Sequence, residues 1–296
     1  MDIEAYRQQY LQSLETAGAS PAPGSLAAVT ASLSRPGSTP KETSEIIAGL
    51  PLDADYGPTV TALLELLDDA SVAPNVRLAA LRKVGAAEFQ ADRFTPFRAD
   101  FIARLRKLAL DDDKALREAA LERLSFSNDE EAQKLLREGL ERKRKQLVSD
   151  AKAVQLLASD DHSGSIDLFR SLAVNGKGQV REQALRALAA DAQSVPLFRQ
   201  IATDKAEHPA LREVALANLK SMAPMVLSDV GPSLVLDAGN SDRLRAAAVS
   251  ALTHTDNQVK RALEPFHADF ETVRATTRSR HLKSSIKHFN RSLRSK

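Results

Sequence analysis

Four short stretches bring together residue types that could do chemistry. Asp111, Asp112 and Asp113, with Glu122 at the twelfth place counted from Asp111, have the outline of a calcium loop. Such a loop needs an oxygen ligand at its fifth place and glycine at its sixth; Ala115 and Leu116 stand there, so calcium is not expected. Gly176-Lys177-Gly178 has the start of a phosphate-cradling loop, but no strand pattern precedes it and no third glycine follows. A tight turn between helices is expected instead. Asp160-Asp161-His162-Ser163 mixes groups used for proton transfer and nucleophilic attack, yet stands just before a helix containing Ile166, where it reads as turn and N-cap. His281 and His288 share a helical face, but no carboxylate joins them to make a metal site. No serine has the strand-to-helix context of a nucleophile elbow. The chain is therefore read as a non-enzyme with no catalytic residue, metal or cofactor.

The elements that would position such groups are helices, and they repeat. Val180-Arg181-x-x-Ala184-Leu185-x-x-Leu188 returns as Val76-Arg77-x-x-Ala80-Leu81-x-x-Val84 and as Leu116-Arg117-x-x-Ala120-Leu121-x-x-Leu124. It returns again as Leu211-Arg212-x-x-Ala215-Leu216-x-x-Leu219 and as Leu244-Arg245-x-x-Ala248-Val249-x-x-Leu252. The double gap between 117 and 181 predicts a hidden copy near 150, and Asp150-x-x-Ala153-Val154-x-x-Leu157 fills it with Asp in the arginine slot. A worn first copy has Thr43 in that slot, and one more step of 33 predicts a terminal copy at Arg278. Apolar periodicity supplies a helix before each copy, for example Phe97, Phe101, Leu105 and Leu108 or Ile166, Phe169 and Leu172. Thr39-Pro40-Lys41-Glu42 spells a capping box with a first-turn proline, and Asn128-Asp129-Glu130-Glu131 is another such spelling. Pro74 and Pro209 fall in the first turn of their helices, where a missing N–H is tolerated.

A repeat of this length marks stacked helical units, and the phrase resembles the inner-helix box of HEAT repeats. The resemblance implies an all-α fold, a right-handed α-α superhelix of about six to eight helical pairs. Residues 1–38 are read as an N-terminal helix, from about Asp2 to Ala17, and a Ser/Pro/Gly/Ala-rich linker in which Leu26, Val29 and Leu33 have the spacing of a short helix. Residues 39–268 form the expected solenoid, and 269–296 a basic amphipathic cap helix. Aromatics are 4% of the chain and Trp is absent, so the core is expected to be Leu, Ala and Val. The lack of cysteine excludes disulfides and thiolate chemistry and fits a reducing compartment. No signal peptide is visible and no apolar run nears the roughly 20 residues of a membrane span, so a cytoplasmic monomer is expected.

A cation near a helix N-terminus is unfavourable unless paired. The resemblance implies that Arg77, Arg117, Arg181, Arg212 and Arg245 are structural, joined between layers to turn aspartates. Asp69, Asp204 and Asp237 lie eight residues before such an arginine, and Asp111 six before; Asp150 breaks the ladder. Positions one and five residues past each box arginine face outward from the inner helices. Among them Arg82, Glu118, Glu122, Glu182, Arg186 and Glu213 are the candidate partner-binding residues. Four carboxylates against two guanidiniums would repel a phosphate backbone and favour a protein partner.

The chain carries a net charge of +2, but residues 271–296 hold eight Lys/Arg against one Glu, or +7, leaving −5 for the remainder. Leu282, Ile286, Phe289 and Leu293 share a helical face; Arg280, Lys283, Lys287, Arg291 and Arg294 lie largely elsewhere around it. Three readings follow: a cap helix showing charge to water, a phosphate-binding or membrane-surface helix, or a basic element that docks a protein. Arg142-Lys143-Arg144-Lys145 reads as a solvated helix end.

These features make a protein-binding scaffold or adaptor, working through the concave face, the expected function. Two alternatives share the repeat architecture. HEAT-like alkylpurine DNA glycosylases hold duplex DNA on a basic concave face, and nucleic acid is a candidate partner here through the basic C-terminus. HEAT-like phycobilin lyases would require a separate cysteine-bearing acceptor, and no pigment pocket is marked in the sequence.

Overall fold

Helices begin where the sequence supplies a cap and end where a turn residue follows. The computed structural model describes residues 24–53, 55–159, 164–253, 255 and 257–294. Among them every regular element is helical. The stretches Asp2–Ala17 and Asp160–Ser163 lie outside the described residues. The chain divides into two compact units, residues 1–163 and 164–296.

The first unit contains α1 (Leu26–Ser34), α2 (Pro40–Ala48), α3 (Tyr56–Asp68), α4 (Pro74–Ala87), α5 (Arg98–Leu108), α6 (Lys114–Phe126), α7 (Glu130–Leu140) and α8 (Asp150–Leu157). Successive helices pair: α1 with α2, α3 with α4, α5 with α6, α7 with α8. The second helices then touch in order, α2 to α4 to α6 to α8, so the pairs stack layer on layer. The second unit contains α9 (Ile166–Asn175), α10 (Gly178–Ala187), α11 (Val195–Thr203), α12 (Pro209–Met222), α13 (Pro224–Leu236), α14 (Asp242–Thr253), α15 (Asn257–Leu263), α16 (His267–Thr276) and α17 (Arg280–Arg294). It follows the same plan, with α9 on α10, α11 on α12, α13 on α14 and α16 on α17, and with α10, α12, α14 and α17 as successive neighbours.

The Thr39 box forms as its spelling predicts, whereas at the second spelling the cap is Asp129, one residue after the Asn128 that a box with Glu131 requires. Thr39 and Glu42 close a full capping box on α2, with Pro40 at the first helical position. Asp113 and Asp129 accept hydrogen bonds from the backbone N–H of Leu116 and Ala132, at 2.9 and 3.0 Å, and so start α6 and α7. Each cap stabilises its helix by about 1 kcal/mol. The supposed linker holds α1, which packs on α2 through a buried pair of hydroxyls, Ser32 and Thr43, 2.8 Å apart. Thr43 thus fills the arginine slot of the first copy with a hydroxyl bond.

The core is mostly Leu, Ala and Val, as the composition implies, with phenylalanine added at a few places. Six of the ten phenylalanines are fully buried, and Phe101, Phe169, Phe198 and Phe270 come one each from the first helices α5, α9, α11 and α16. Fully buried alanines of the paired second helices (Ala120, Ala184 and Ala215) leave room for large side chains opposite. Burying one phenyl ring contributes about 2–3 kcal/mol, so a few well-placed rings outweigh their small share of the composition.

Register is equally regular. The box residue is the fourth of α2 (Thr43), α4 (Arg77), α6 (Arg117), α10 (Arg181), α12 (Arg212) and α14 (Arg245). The last copy departs from the expected spacing. In α17 the fourth residue is Lys283, five beyond Arg278, because α15 and α16 both stand between α14 and α17, as the four-residue helix Ala91–Phe94 and α5 both stand between α4 and α6. Leu282, Ile286 and Phe289 are fully buried, so this helix covers the last layer.

Gly176-Lys177-Gly178 is the turn between α9 and α10. A Cβ on Gly176 would lie 2.4 Å from the Leu172 carbonyl oxygen, and Gly178 has φ of +54°. Gly176→Ala should therefore lower stability by about 1–3 kcal/mol in urea unfolding, and Gly178→Ala by about 1–2 kcal/mol. Lys177→Ala should leave the midpoint unchanged, which a phosphate-cradling loop lysine also would not reveal without a ligand; inorganic phosphate should accordingly shift neither protein.

Candidate functional site

The conspicuous side chains of the second-helix row are the box arginines, and four of the five close the end of the helix before them. The Nε of Arg77, Arg212 and Arg245 donates to the carbonyl oxygens of Leu67, Ala202 and Val235 at 3.2, 3.0 and 2.8 Å. Arg181 Nε donates to Ala173 at 2.8 Å. Those carbonyls are the unpaired, negative end of the first helix of the pair. A cation misplaced at its own helix N-terminus is thus well placed for its neighbour's C-terminus.

Some arginines also reach the next layer. Arg77 pairs with Asp111 at 3.1 Å, and Arg181 with Glu207 at 2.7 Å, each acid lying in the turn of the following pair. Arg117 meets no carboxylate there; it donates to the backbone oxygens of Leu147 and Asp111, both at 2.6 Å. The layer lacking an arginine has another arrangement, in which Arg142 donates to Asp150 at 2.9 Å. Asp69, Asp204 and Asp237 serve their own turns, accepting from the backbone N–H of Ser71, Ala206 and Gly239. Asp237 also pairs with Lys205 at 2.6 Å. Arg212 is the most buried of the five box arginines, and burial pushes its guanidinium below its ordinary value while Asp204 and Asp237 oppose this.

A second set of ties joins the first helices. Arg106 of α5 donates through Nε and Nη2 to Asp129, the cap of α7, at 3.0 and 2.7 Å. Arg170 of α9 makes a two-pronged pair with Asp191, in the turn before α11, at 2.8 and 2.7 Å. The Ser194 hydroxyl also donates to Asp191 at 2.5 Å. Sequence reasoning missed these ties because their partners are 21 and 23 residues apart and belong to no repeated phrase.

The candidate partner-binding carboxylates prove to be engaged within the chain. Glu118 faces Lys114 at 3.8 Å, Glu122 pairs with Lys152, and Glu182 pairs with Arg186 at 2.8 Å. Glu213 takes both Nε and Nη2 of Arg243 at 2.8 Å. Arg82 is exposed and lines a concavity with Lys41, Leu78 and Lys83. An acidic groove waiting for a basic partner is therefore not what these residues form: the cations come from the same helix or from the adjacent layer.

A different site lies at the C-terminal ends of α4 and α6. Phe89 and Phe126 are 90% and 76% exposed and share a cleft of about 700 Å³ with Arg98, Ile102, Arg106 and Arg123. Arg123 holds the cleft wall, donating to the Gly85 carbonyl at 3.0 Å and to the Glu88 carboxylate. The segment around Phe89 is tied down from behind, where the buried Tyr56 hydroxyl donates to the Ala87 carbonyl at 2.7 Å and Arg93 lies 4.3 Å from the Tyr56 ring centre. Burial pushes the Tyr56 phenol upward. Both phenylalanines sit just beyond the last apolar residue of a box, Val84 or Leu124. An aromatic past the end of the buried period was the available signal.

Asp111 and Asp113 are committed to an ion pair and a cap, and among the described residues no group of three or more His, Cys, Asp or Glu could hold a metal ion. Among the same residues no helix is long and apolar enough to cross a membrane. No known family model matches the chain, and no curated protein is significantly similar to it.

The Asp191 pair generates a pH dependence. Hydrogen bonds from Arg170, with Ser194 and the Arg170 charge adding, pull its pKa from 3.8 down to about 2. Its folded pKa lies below its unfolded one, so the stabilisation is present above about pH 4 and is lost as pH falls towards 2, amounting to about 2 kcal/mol. Asp191→Asn should lose that amount at pH 7 and show a flatter urea midpoint between pH 4 and 2 than the parent chain.

Proposed function

We propose that the chain is a non-catalytic scaffold, a right-handed HEAT-type solenoid that docks a protein segment along its second-helix row. The order of neighbours within each unit supports the stacked-repeat part of this reading. The absence of a recognised catalytic arrangement among the described residues leaves binding as the work to be explained. The single observation that carries the docking site is the Phe89–Phe126 cleft.

In a chain that buries most of its phenylalanines, two largely exposed rings from adjacent layers are an expensive choice for solubility alone. Protein interfaces are enriched in aromatic side chains and arginine, and a few such residues dominate binding. The rings would receive apolar side chains of a peptide segment. Exposed Arg98 would receive a carboxylate, since Arg106 and Arg123 already hold Asp129 and Glu88. This places docking at the ends of α4 and α6, beside the inner-helix positions.

Replacing both rings, Phe89→Ser with Phe126→Ser, should leave the melting temperature within about 2 °C because neither is buried. Affinity capture from native lysate with cross-linking should then show a discrete protein held by the parent chain and lost by the double variant. Retention of that protein by the variant would place docking elsewhere. An Arg98→Glu variant should weaken the same capture by about tenfold while leaving the fold unchanged.

A further inference from the structure

Cations without an ion pair line one stripe of α17. At 100° per residue, positions 280, 283, 287, 291 and 294 fall within an arc of about 80°, opposite the positions of Leu282, Ile286 and Phe289. Arg280, Lys283, Lys287 and Arg291 are exposed, and among the described residues none of the four has an ion-pair partner. The contrast with the rest of the second-helix row is sharp, since Glu118, Glu122, Glu182 and Glu213 all have cations. Of the acids on the helices packed against α17, Asp242 and Glu271 have partners, while Asp269 of α16 is exposed and has no ion pair among the described residues. Asp242 of α14 faces Arg245, while Glu271 of α16 takes Arg274 and Asn290. From residue 272 to the end the sequence contains no acid.

We propose that this stripe binds the phosphate backbone of duplex nucleic acid without reading its sequence. Going beyond the scaffold reading, it adds a second ligand at a separate place. Geometry sets the match: from 280 to 291 the helix rises about 16 Å, with successive cations about 4.5–6 Å apart. One strand of a duplex presents a phosphate about every 3.4 Å of axis, so the stripe spans about five phosphates of one strand.

Three competing ligands fit less well. A membrane-surface helix inserts its apolar face, but here Leu282, Ile286 and Phe289 are fully buried beneath the stripe. A single strand is normally held by stacking on aromatic rings, and Phe289 is instead packed on Phe270 with ring centres 5.3 Å apart. A docked acidic protein would need an apolar core to its interface, and the stripe contains only cations. Phosphate contacts alone give affinity without base discrimination.

The full chain should bind a 30-base-pair duplex in fluorescence anisotropy at 50 mM salt. The logarithm of its affinity should fall with the logarithm of salt concentration at a slope of about −3.6, as for four phosphate contacts. Lys283→Gln, Lys287→Gln and Arg291→Gln together should weaken binding at least tenfold and bring the slope to about −0.9. Glutamine keeps the helix, and an unchanged melting temperature checks this; the single Lys287→Gln variant, with a slope of about −2.7, serves if the triple variant unfolds. Absence of duplex binding at 50 mM salt, or an unaltered slope in the variants, would overturn the proposal. So would stronger binding to phosphatidylserine vesicles, or equal competition by polyglutamate or by an unstructured single strand. The Phe89→Ser/Phe126→Ser protein should bind the duplex normally, which separates this result from the fate of the scaffold reading.

Discussion

The structure depends on one repeated solution to a backbone problem. A helix ends with carbonyl oxygens that have no partner, and a stack of short helices has many such ends. In the pairs containing Arg77, Arg181, Arg212 and Arg245, a guanidinium from the second helix donates to one of those carbonyls. The same planar group has donors left over for an acid in the next layer, as Arg77 and Arg181 show. Lysine, with a compact charge, could not serve the two directions with the same fixed geometry. This helps explain why the box is spelled with arginine at five of its copies.

What the sequence reveals is what recurs within a short reach. The box, its helical register and the caps at Thr39, Asp113 and Asp129 could be read because each is specified by residues a few positions apart. The hidden copy at Asp150 was legible from spacing, although not the Arg142 contact that answers its charge. Pairings across layers were illegible. Glu213 and Arg243 are 30 residues apart, and nothing in either neighbourhood names the other. For the same reason, counting carboxylates on the second-helix positions misjudged their availability.

The error of spacing has a physical cause too. A low aromatic fraction says nothing about where the rings go, and one ring in each of several first helices supplements a core that is otherwise Leu, Ala and Val. The last layer contains an additional helix, α15, which shifted α17 beyond the expected step. Lys283 then takes the box position, and Lys287 the place of an apolar box residue such as Val249. Val249 is fully buried, whereas Lys287 is exposed. At this place α17 carries a cation where α14 carries an apolar side chain.

The interlayer rungs have a direction. In Arg77–Asp111 and Arg181–Glu207 the arginine belongs to one pair and the acid to the turn that opens the second helix of the following pair. Neither acid-bearing pair sends the same contact onward: Arg117, in the pair that supplies Asp111, donates to backbone oxygens, and Arg212, in the pair that supplies Glu207, donates to the Ala202 carbonyl. A rung is therefore shared between two unlike neighbours. A segment of coding sequence that duplicated one pair would arrive with one half of it, and closing the new seam would take a second change.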